Sequence, residues 1–194
     1  MAAMAADAPR HTFKVVVNGA GGAGKSVLLR RLSGKAFRRG YVPTVGAEIV
    51  RVNYQVRHGN DAFDIQVDFW DTAGVEANKG LVGGYYIQRH DVLTVVDARN
   101  VTEEVKWNLR FSTGGIAPLI VANTFDDEAN ADLDALRAAA REGDALYAAA
   151  GLGHELYALC VRTASREDLL RPVLALLRRL TRMGDLELVK VAAG

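Results

Sequence analysis

One segment narrows the possible folds of this chain more than any other. The apolar run Phe13-Lys14-Val15-Val16-Val17 is followed, after Asn18, by Gly19-Ala-Gly-Gly-Ala-Gly-Lys25-Ser26. A β-branched run, a glycine-rich loop and then Val27-Leu28-Leu29 read as strand, loop and helix start, the context that the phosphate-binding pattern G-x-x-x-x-G-K-[ST] requires. The glycines let backbone N–H groups close around phosphate oxygens, and the helix start adds partial positive charge. Lys25 can reach β- and γ-phosphates as a point charge, and the Ser26 hydroxyl suits Mg2+. The bland alternative is a glycine-rich turn beside a chance lysine. The flanking strand and helix signals stand against it.

Strand and helix signals alternate along the rest of the chain. Phe13–Asn18 reads as a strand and Lys25–Ser33 as a helix. Glu48–Arg57 and Phe63–Trp70 read as two strands joined by the turn-forming His58-Gly-Asn-Asp61. Asp91–Asp97 and Ala117–Asn123 are short β-branched runs of the kind found in buried parallel strands, with a polar helix expected over Glu103–Arg110 between them. Ala131–Ala150 is most simply helical, with Gly143 a possible interruption, and Leu156–Val161 is another apolar strand. Asp168–Met183 has the spacing of a long amphipathic helix, with Pro172 expected in its first turn and Gly184 ending it. The alternation predicts an α/β fold, a mostly parallel sheet with helices on both faces. Ligands in such sheets bind at the carboxyl ends of strands, so the glycine loop, Asp71, Asn123 and Arg162–Ala164 should gather at one edge.

A chain of 194 residues suggests one domain of ordinary size, with 49% hydrophobic and 24% charged residues, as in soluble globular proteins. A net charge of +1 implies no direct nucleic-acid partner and no membrane-surface bias. Cys160 is the single cysteine, so no internal disulfide forms, and its apolar surroundings predict a buried inert thiol. No stretch approaches the length needed to cross a bilayer. Residues 1–11 are expected to be a disordered small-residue segment, 12–184 the domain and 185–194 a short tail. The start lacks the features of a secretory signal, and Ala2 excludes myristoylation. Leu188–Gly194 holds no cysteine for prenylation, so no membrane anchor is expected.

Two further motifs sharpen the chemistry. Asp71-Thr-Ala-Gly74 follows Val67-Asp-Phe-Trp70, and an aspartate at a strand end beside a phosphate loop commonly holds Mg2+, while Gly74 can turn its N–H toward a γ-phosphate. A strand-end turn rich in Asp and Gly is the alternative. Thr44, in Tyr41-Val-Pro-Thr-Val-Gly46, is positioned to ligate Mg2+ and sense a triphosphate, although in isolation it reads as an ordinary loop residue. Together, G-A-G-G-A-G-K-S, P-T-V-G, W-D-T-A-G and the N-x-x-D of Asn123-Thr-Phe-Asp126 resemble the Ras-like small GTPases. Tyr41–Glu48, Gly84-Tyr-Tyr-Ile-Gln88, Arg171–Leu180 and Gly184–Leu188 are most similar to the Ran branch, which serves nuclear transport. The resemblance covers roughly Phe13 to Val189.

That resemblance implies a P-loop NTPase fold with a six-stranded sheet, GTP or GDP with Mg2+ as cofactors, and a monomer of nucleus and cytoplasm. Its implied partners are importin- and exportin-type receptors, an exchange factor and a GTPase-activating protein. The implied nucleotide-binding residues are Gly19, Gly21, Gly22, Ala23, Gly24, Lys25, Ser26, Val27, Phe37, Tyr41, Thr44, Gly74, Asn123, Thr124, Asp126, Arg162, Thr163 and Ala164. Ser26, Thr44 and Asp71 would hold the metal, Phe37 would pack on the guanine edge, and the Thr163 N–H would face the guanine oxygen. Lys25, Thr44, Gly74 and position 75 would serve hydrolysis. A carboxylate at Asp126 accepts from two guanine N–H groups, a pair that adenine lacks; an acidic loop continuing into Asp127 and Glu128 is the alternative.

The chain departs from that family at several points. Val75 replaces the glutamine that orients the attacking water, so hydrolysis should be weak, unless the valine packs in a switch that works differently. Thr124 replaces a lysine whose stem covers the base and whose amine braces the phosphate loop, and Arg162-Thr-Ala164 stands at the S-A-K element. Both changes should weaken nucleotide affinity and speed exchange, with Phe125 recovering some of the packing. Ala131–Gly153 lacks the basic stretch of Ran, and no acidic tail follows Leu186-Glu-Leu188. The leading expectation is therefore a Ran-like switch. The alternatives are a hydrolysis-deficient decoy for transport receptors, a Rab-type vesicle-traffic GTPase and an ATP-dependent P-loop enzyme.

Overall fold

The computed structural model describes residues 11–36, 40, 44–73, 82–102, 119–126, 131–147 and 155–193. In chain order the strands are β1 (His11–Asn18), β2 (Ala47–His58), β3 (Asp61–Thr72), β4 (Asp91–Asp97), β5 (Leu119–Asn123), β6 (Glu155–Leu159) and β7 (Glu187–Ala193). The helices among the described residues are α1 (Lys25–Leu32), the single turn α2 (Val82–Tyr85), α3 (Leu133–Tyr147) and α4 (Arg166–Thr181). The strands form one sheet in the order β6-β5-β4-β1-β3-β2-β7. Pairing is parallel from β6 through β5, β4 and β1 to β3, and antiparallel from β3 to β2 and from β2 to β7.

The central strands are continuous apolar runs because both faces of the sheet are covered. Side chains alternate across the pleat. Leu119 and Val121 of β5 face one core with Val15, Val17, Leu28, Leu29, Leu32 and Leu176. Ile120 and Ala122 face a second, with Leu136, Ala139 and Ala140 of α3. Burying whole Leu and Val side chains stabilises the fold by about 1.5–3 kcal/mol each before entropy is counted.

Several elements differ from the sequence-based expectation. The sheet has seven strands rather than six, because residues 187–193, expected as tail, add to the free edge of β2. Leu186 is fully buried and Leu188 and Val191 pack against the core, so the segment is held by apolar contact as well as by the ladder. Helix α3 runs through Gly143 without a break. Helix α4 begins earlier than the apolar spacing suggested, because the Ser165 hydroxyl accepts from the Asp168 N–H at 3.0 Å and caps it. Pro172 consequently sits inside the helix, not in its first turn, where it removes one backbone bond but buries its ring in the core. The helix ends at Arg182, with φ at 60°, rather than at Gly184. The Thr181 hydroxyl donates to Leu177 O at 2.8 Å and accepts from the Met183 N–H at 3.3 Å. The helix expected over Glu103–Arg110 and the segment 1–10 lie outside the described residues.

One ion pair fastens α4 to the sheet. Asp91, buried at the start of β4, accepts from its neighbour Val92 N–H at 2.7 Å and from Arg179 Nη2 at 3.0 Å. Burial pushes the Asp91 carboxyl above its ordinary value, against the pull of Arg179. Deleting one partner of a buried pair leaves an uncompensated charge. Arg179→Met should therefore lower the unfolding free energy by about 3 kcal/mol in a urea titration, and adding Asp91→Asn should restore most of it. The folded-state pKa is raised, so ionising Asp91 disfavours the folded state. The loss in Arg179→Met should grow as pH rises from the acid side, where Asp91 is protonated. A loss independent of pH would show that the charge is not its cause.

Candidate functional site

The strand order reverses at β1, which has β4 on one side and β3 on the other. The crevice beyond the carboxyl ends of the strands at such a reversal is where open α/β sheets take ligands. The chain leaves β1 here through the glycine loop. Gly19 has φ at +135°, and a Cβ on it would lie 2.0 Å from the Val95 carbonyl oxygen, so only glycine lets the loop cross β4. Lys25 is buried, and its Nζ donates to Gly19 O and Ala20 O, both at 2.8 Å, spanning the loop from within. Helix α1 has neither a capping side chain nor an acidic residue in its first turn. No side chain thereby competes for the positive end of this helix, which suits an anion. Gly21 and Gly22 are exposed on the loop, Ala23 is buried, and Val27 packs against the core.

Beside this loop stand three oxygen donors from three segments. The Ser26 and Thr44 hydroxyls are 3.2 Å apart. Adjacent ligands of an octahedral ion with bonds of about 2.1 Å are separated by about 3 Å. Thr44 is drawn in because Gly46 O accepts from the Ala73 N–H at 2.9 Å just past Asp71. Thr72 Oγ1 donates to Val17 O at 2.8 Å and ties that strand end to β1. Asp71 is buried, and its Oδ1 has no hydrogen-bond partner among the described residues. Burial pushes the Asp71 carboxyl up, opposed by a hydrogen bond with Ser26 and by the charge of Lys25. A desolvated carboxylate with an unused oxygen beside two hydroxyls fits a hard divalent cation such as Mg2+.

The other half of the site is organised by Asn123, which is buried. Its Nδ2 donates to Ala23 O at 3.0 Å, while its Oδ1 accepts from the Phe125 and Val161 N–H groups, each at 3.1 Å. A Cβ on Gly24, whose φ is +105°, would lie 2.6 Å from that Nδ2, so glycine is needed for the amide to reach the loop. Thr124 is buried, with its N–H donating to Leu159 O at 3.1 Å. Asp126 is paired with Arg162 and lies 3.4 Å from Cys160 Sγ. The Thr163 N–H, expected to face a guanine oxygen, donates to Cys160 O at 3.2 Å, and the Ala164 N–H to the same oxygen at 2.9 Å. The structure thus brings together Lys25, Ser26, Thr44 and Asp71 on one side and Asn123, Thr124, Asp126 and Arg162–Ala164 on the other. Phe37, Tyr41, Gly74 and Val75 lie outside the described residues.

Two contributors have contacts that the sequence does not mark: Arg31 carries no signal, and Phe125 is expected only to recover some packing lost at Thr124. Arg31 of α1 donates to Val161 O at 3.1 Å and to Ala164 O at 2.7 Å, anchoring the 160–165 loop. Phe125 takes φ of 55° and is covered by the Arg99 guanidinium, 3.7 Å from its ring centroid. An arginine on a helix and a phenylalanine in a loop are too common to mark such roles.

The family model described as "Ras of Complex, Roc, domain of DAPkinase" matches residues 14–126, more than half of the chain. The chain belongs to this family of Ras-like GTPase domains. It is also similar to Ras-related protein Rab-1 of Theileria annulata and of Theileria parva, 28% identical to each over 123 residues. Those matches cover 60% of this chain and 54% of each relative, so the chain spans about half the length of the curated relatives it matches. These relatives carry the Rab-1 name and lend no support to the Ran likeness seen in Gly84–Gln88. As a Ras-like domain, the chain should depend on its Asn123 tether for site geometry. Asn123→Ala leaves Ala23 O and the Phe125 and Val161 N–H groups without that partner. It should cost about 2–4 kcal/mol in urea unfolding without nucleotide. A cost below about 0.5 kcal/mol would mean that water replaces all three contacts.

Proposed function

We propose that the chain is a guanine-nucleotide-dependent molecular switch. The observation that carries this reading is the convergence of Ser26, Thr44 and the unsatisfied Asp71 oxygen beside an uncapped helix start. Phosphates would lie on the loop and α1, with Lys25 supplying positive charge. Ser26, Thr44 and Asp71 would hold Mg2+, whose chemistry is to neutralise charge on the β- and γ-phosphate oxygens. Thr44 comes from the segment between α1 and β2 and would report the triphosphate. Asp126 would accept from the guanine edge. Exchange factors and GTPase-activating proteins are the regulators this reading calls for.

The finer role is better supported as Rab-type vesicle traffic than as Ran-type nuclear transport, because the relatives are Rab-1 proteins. The Ran reading, with importin- and exportin-type receptors and a place in nucleus and cytoplasm, rests on the likeness of Tyr41–Glu48, Gly84–Gln88, Arg171–Leu180 and Gly184–Leu188 alone. In either role Val75 should make hydrolysis slow, because valine cannot orient water by a hydrogen bond.

Calorimetry with Mg2+ should detect GDP and GTP binding, with ADP weaker by about 100-fold or more. Ser26→Ala and Asp71→Ala should each weaken the Mg2+-dependent part of that affinity by about tenfold. No guanine nucleotide uptake at millimolar concentration would end the switch reading. Val75→Gln should raise single-turnover GTP hydrolysis by about tenfold or more. An unchanged rate would mean that position 75 does not limit the step.

A further inference from the structure

The carboxylate that would read the base already has partners on both oxygens. Arg162 Nη2 pairs with Asp126 Oδ2, and Cys160 Sγ donates to Asp126 Oδ1 at 3.4 Å. Arginine presents its donors from a planar N–C–N fork that matches a carboxylate. The guanine edge offered to such a carboxylate, the ring N1–H and the exocyclic amine, is also an N–C–N fork of donors. Arg162 sets one guanidinium N–H on Asp126 Oδ2, an oxygen that the guanine edge would also need.

The backbone on either side of Arg162 is braced. The Val161 N–H is held by Asn123 Oδ1, and Val161 O and Ala164 O are held by the Arg31 guanidinium. The Thr163 and Ala164 N–H groups both close onto Cys160 O. The loop thus delivers the arginine to Asp126 from a fixed position, across a side chain contact that is half exposed at both ends. A half-exposed ion pair is weak, so it tunes binding rather than blocking it.

We infer that Arg162 is an internal competitor for Asp126, a specificity-setting residue that guanine must displace before the base is read. This rests on the proposal that Asp126 is the guanine acceptor. Displacement lowers the affinity for guanine nucleotides selectively and leaves phosphate-only binding untouched. It also sets the direction of substitution: shortening the arginine strengthens guanine binding instead of weakening it.

The test is calorimetry of GDP and ADP with Mg2+ on the intact chain, its Arg162→Ala and Arg162→Lys variants and Asp126→Ala. Thermal denaturation of each protein without nucleotide checks that it is folded. Arg162→Ala should bind GDP about fivefold more tightly with ADP unchanged, and Arg162→Lys, which keeps the charge but loses the guanidinium N–H at Asp126 Oδ2, should fall between. GDP affinity that is unchanged or weaker in Arg162→Ala overturns the inference. So does an equal gain for GDP and ADP, which is a bulk charge effect. If Asp126→Ala weakens GDP while Arg162→Ala does not strengthen it, only the competitor role fails. If Asp126→Ala leaves GDP affinity intact, the base-reading assignment itself fails.

Discussion

The amide of Asn123 is the contact on which the site depends. The parallel sheet brings the ends of β1, β5 and β6 to one edge, but parallel pairing stops where the strands stop. Beyond that edge three loops diverge, and one buried side chain holds them. Its donor fixes the glycine loop at Ala23, and its acceptor fixes the turn at Phe125 and the end of β6 at Val161. Buried polar groups are costly unless paired, so an amide with both ends satisfied has one low-energy arrangement. Gly24 makes that arrangement possible by leaving the amide room.

The two halves of the site are built differently. The glycine-loop half is made of backbone: a start of α1 with no side-chain cap and a loop that crosses Val95 at a distance only glycine allows. Its charges are Lys25 inside the loop and the desolvated Asp71 beside it. The half around Asn123 and Asp126 is made of side chains. Thr124 stands at the position where the family resemblance led us to expect a lysine. It is buried, and its hydroxyl, 3.4 Å from Phe125 O, serves the turn. Bracing falls to Asn123 and Arg31, and Phe125 is covered by Arg99 on the outside. Backbone recognition tolerates such changes; side-chain recognition is retuned by them.

Much of the architecture is legible in the residues. Val15–Val17, Asp91–Asp97 and Leu119–Asn123 announce buried parallel strands because helices cover both faces and every position must be apolar. The glycine loop announces itself because its spacing serves a geometric need that few other sequences meet. Helix boundaries were less legible: α4 starts at a serine cap and ends on an arginine in the left-handed region, and both depend on hydrogen bonds rather than on apolar spacing. Strand β7 was illegible for a different reason. Glu187-Leu-Val-Lys-Val191 alternates only weakly, and what makes it a strand is the open edge of β2, whose paired residues lie 130 or more positions away in the chain.

The sequence alone determined the fold class, the glycine loop and the residue types gathered around it, because periodicity and glycine spacing are local properties. It also marked Asn123 and Asp126 as a pair. Only the tertiary structure decided what they do: Asn123 spends its amide on three loops, and Asp126 meets Arg162. Those partners lie dozens of residues apart and become neighbours only when β5 and β6 align in register. A carboxylate's chemistry is set by what stands opposite it, and that is a property of the folded chain.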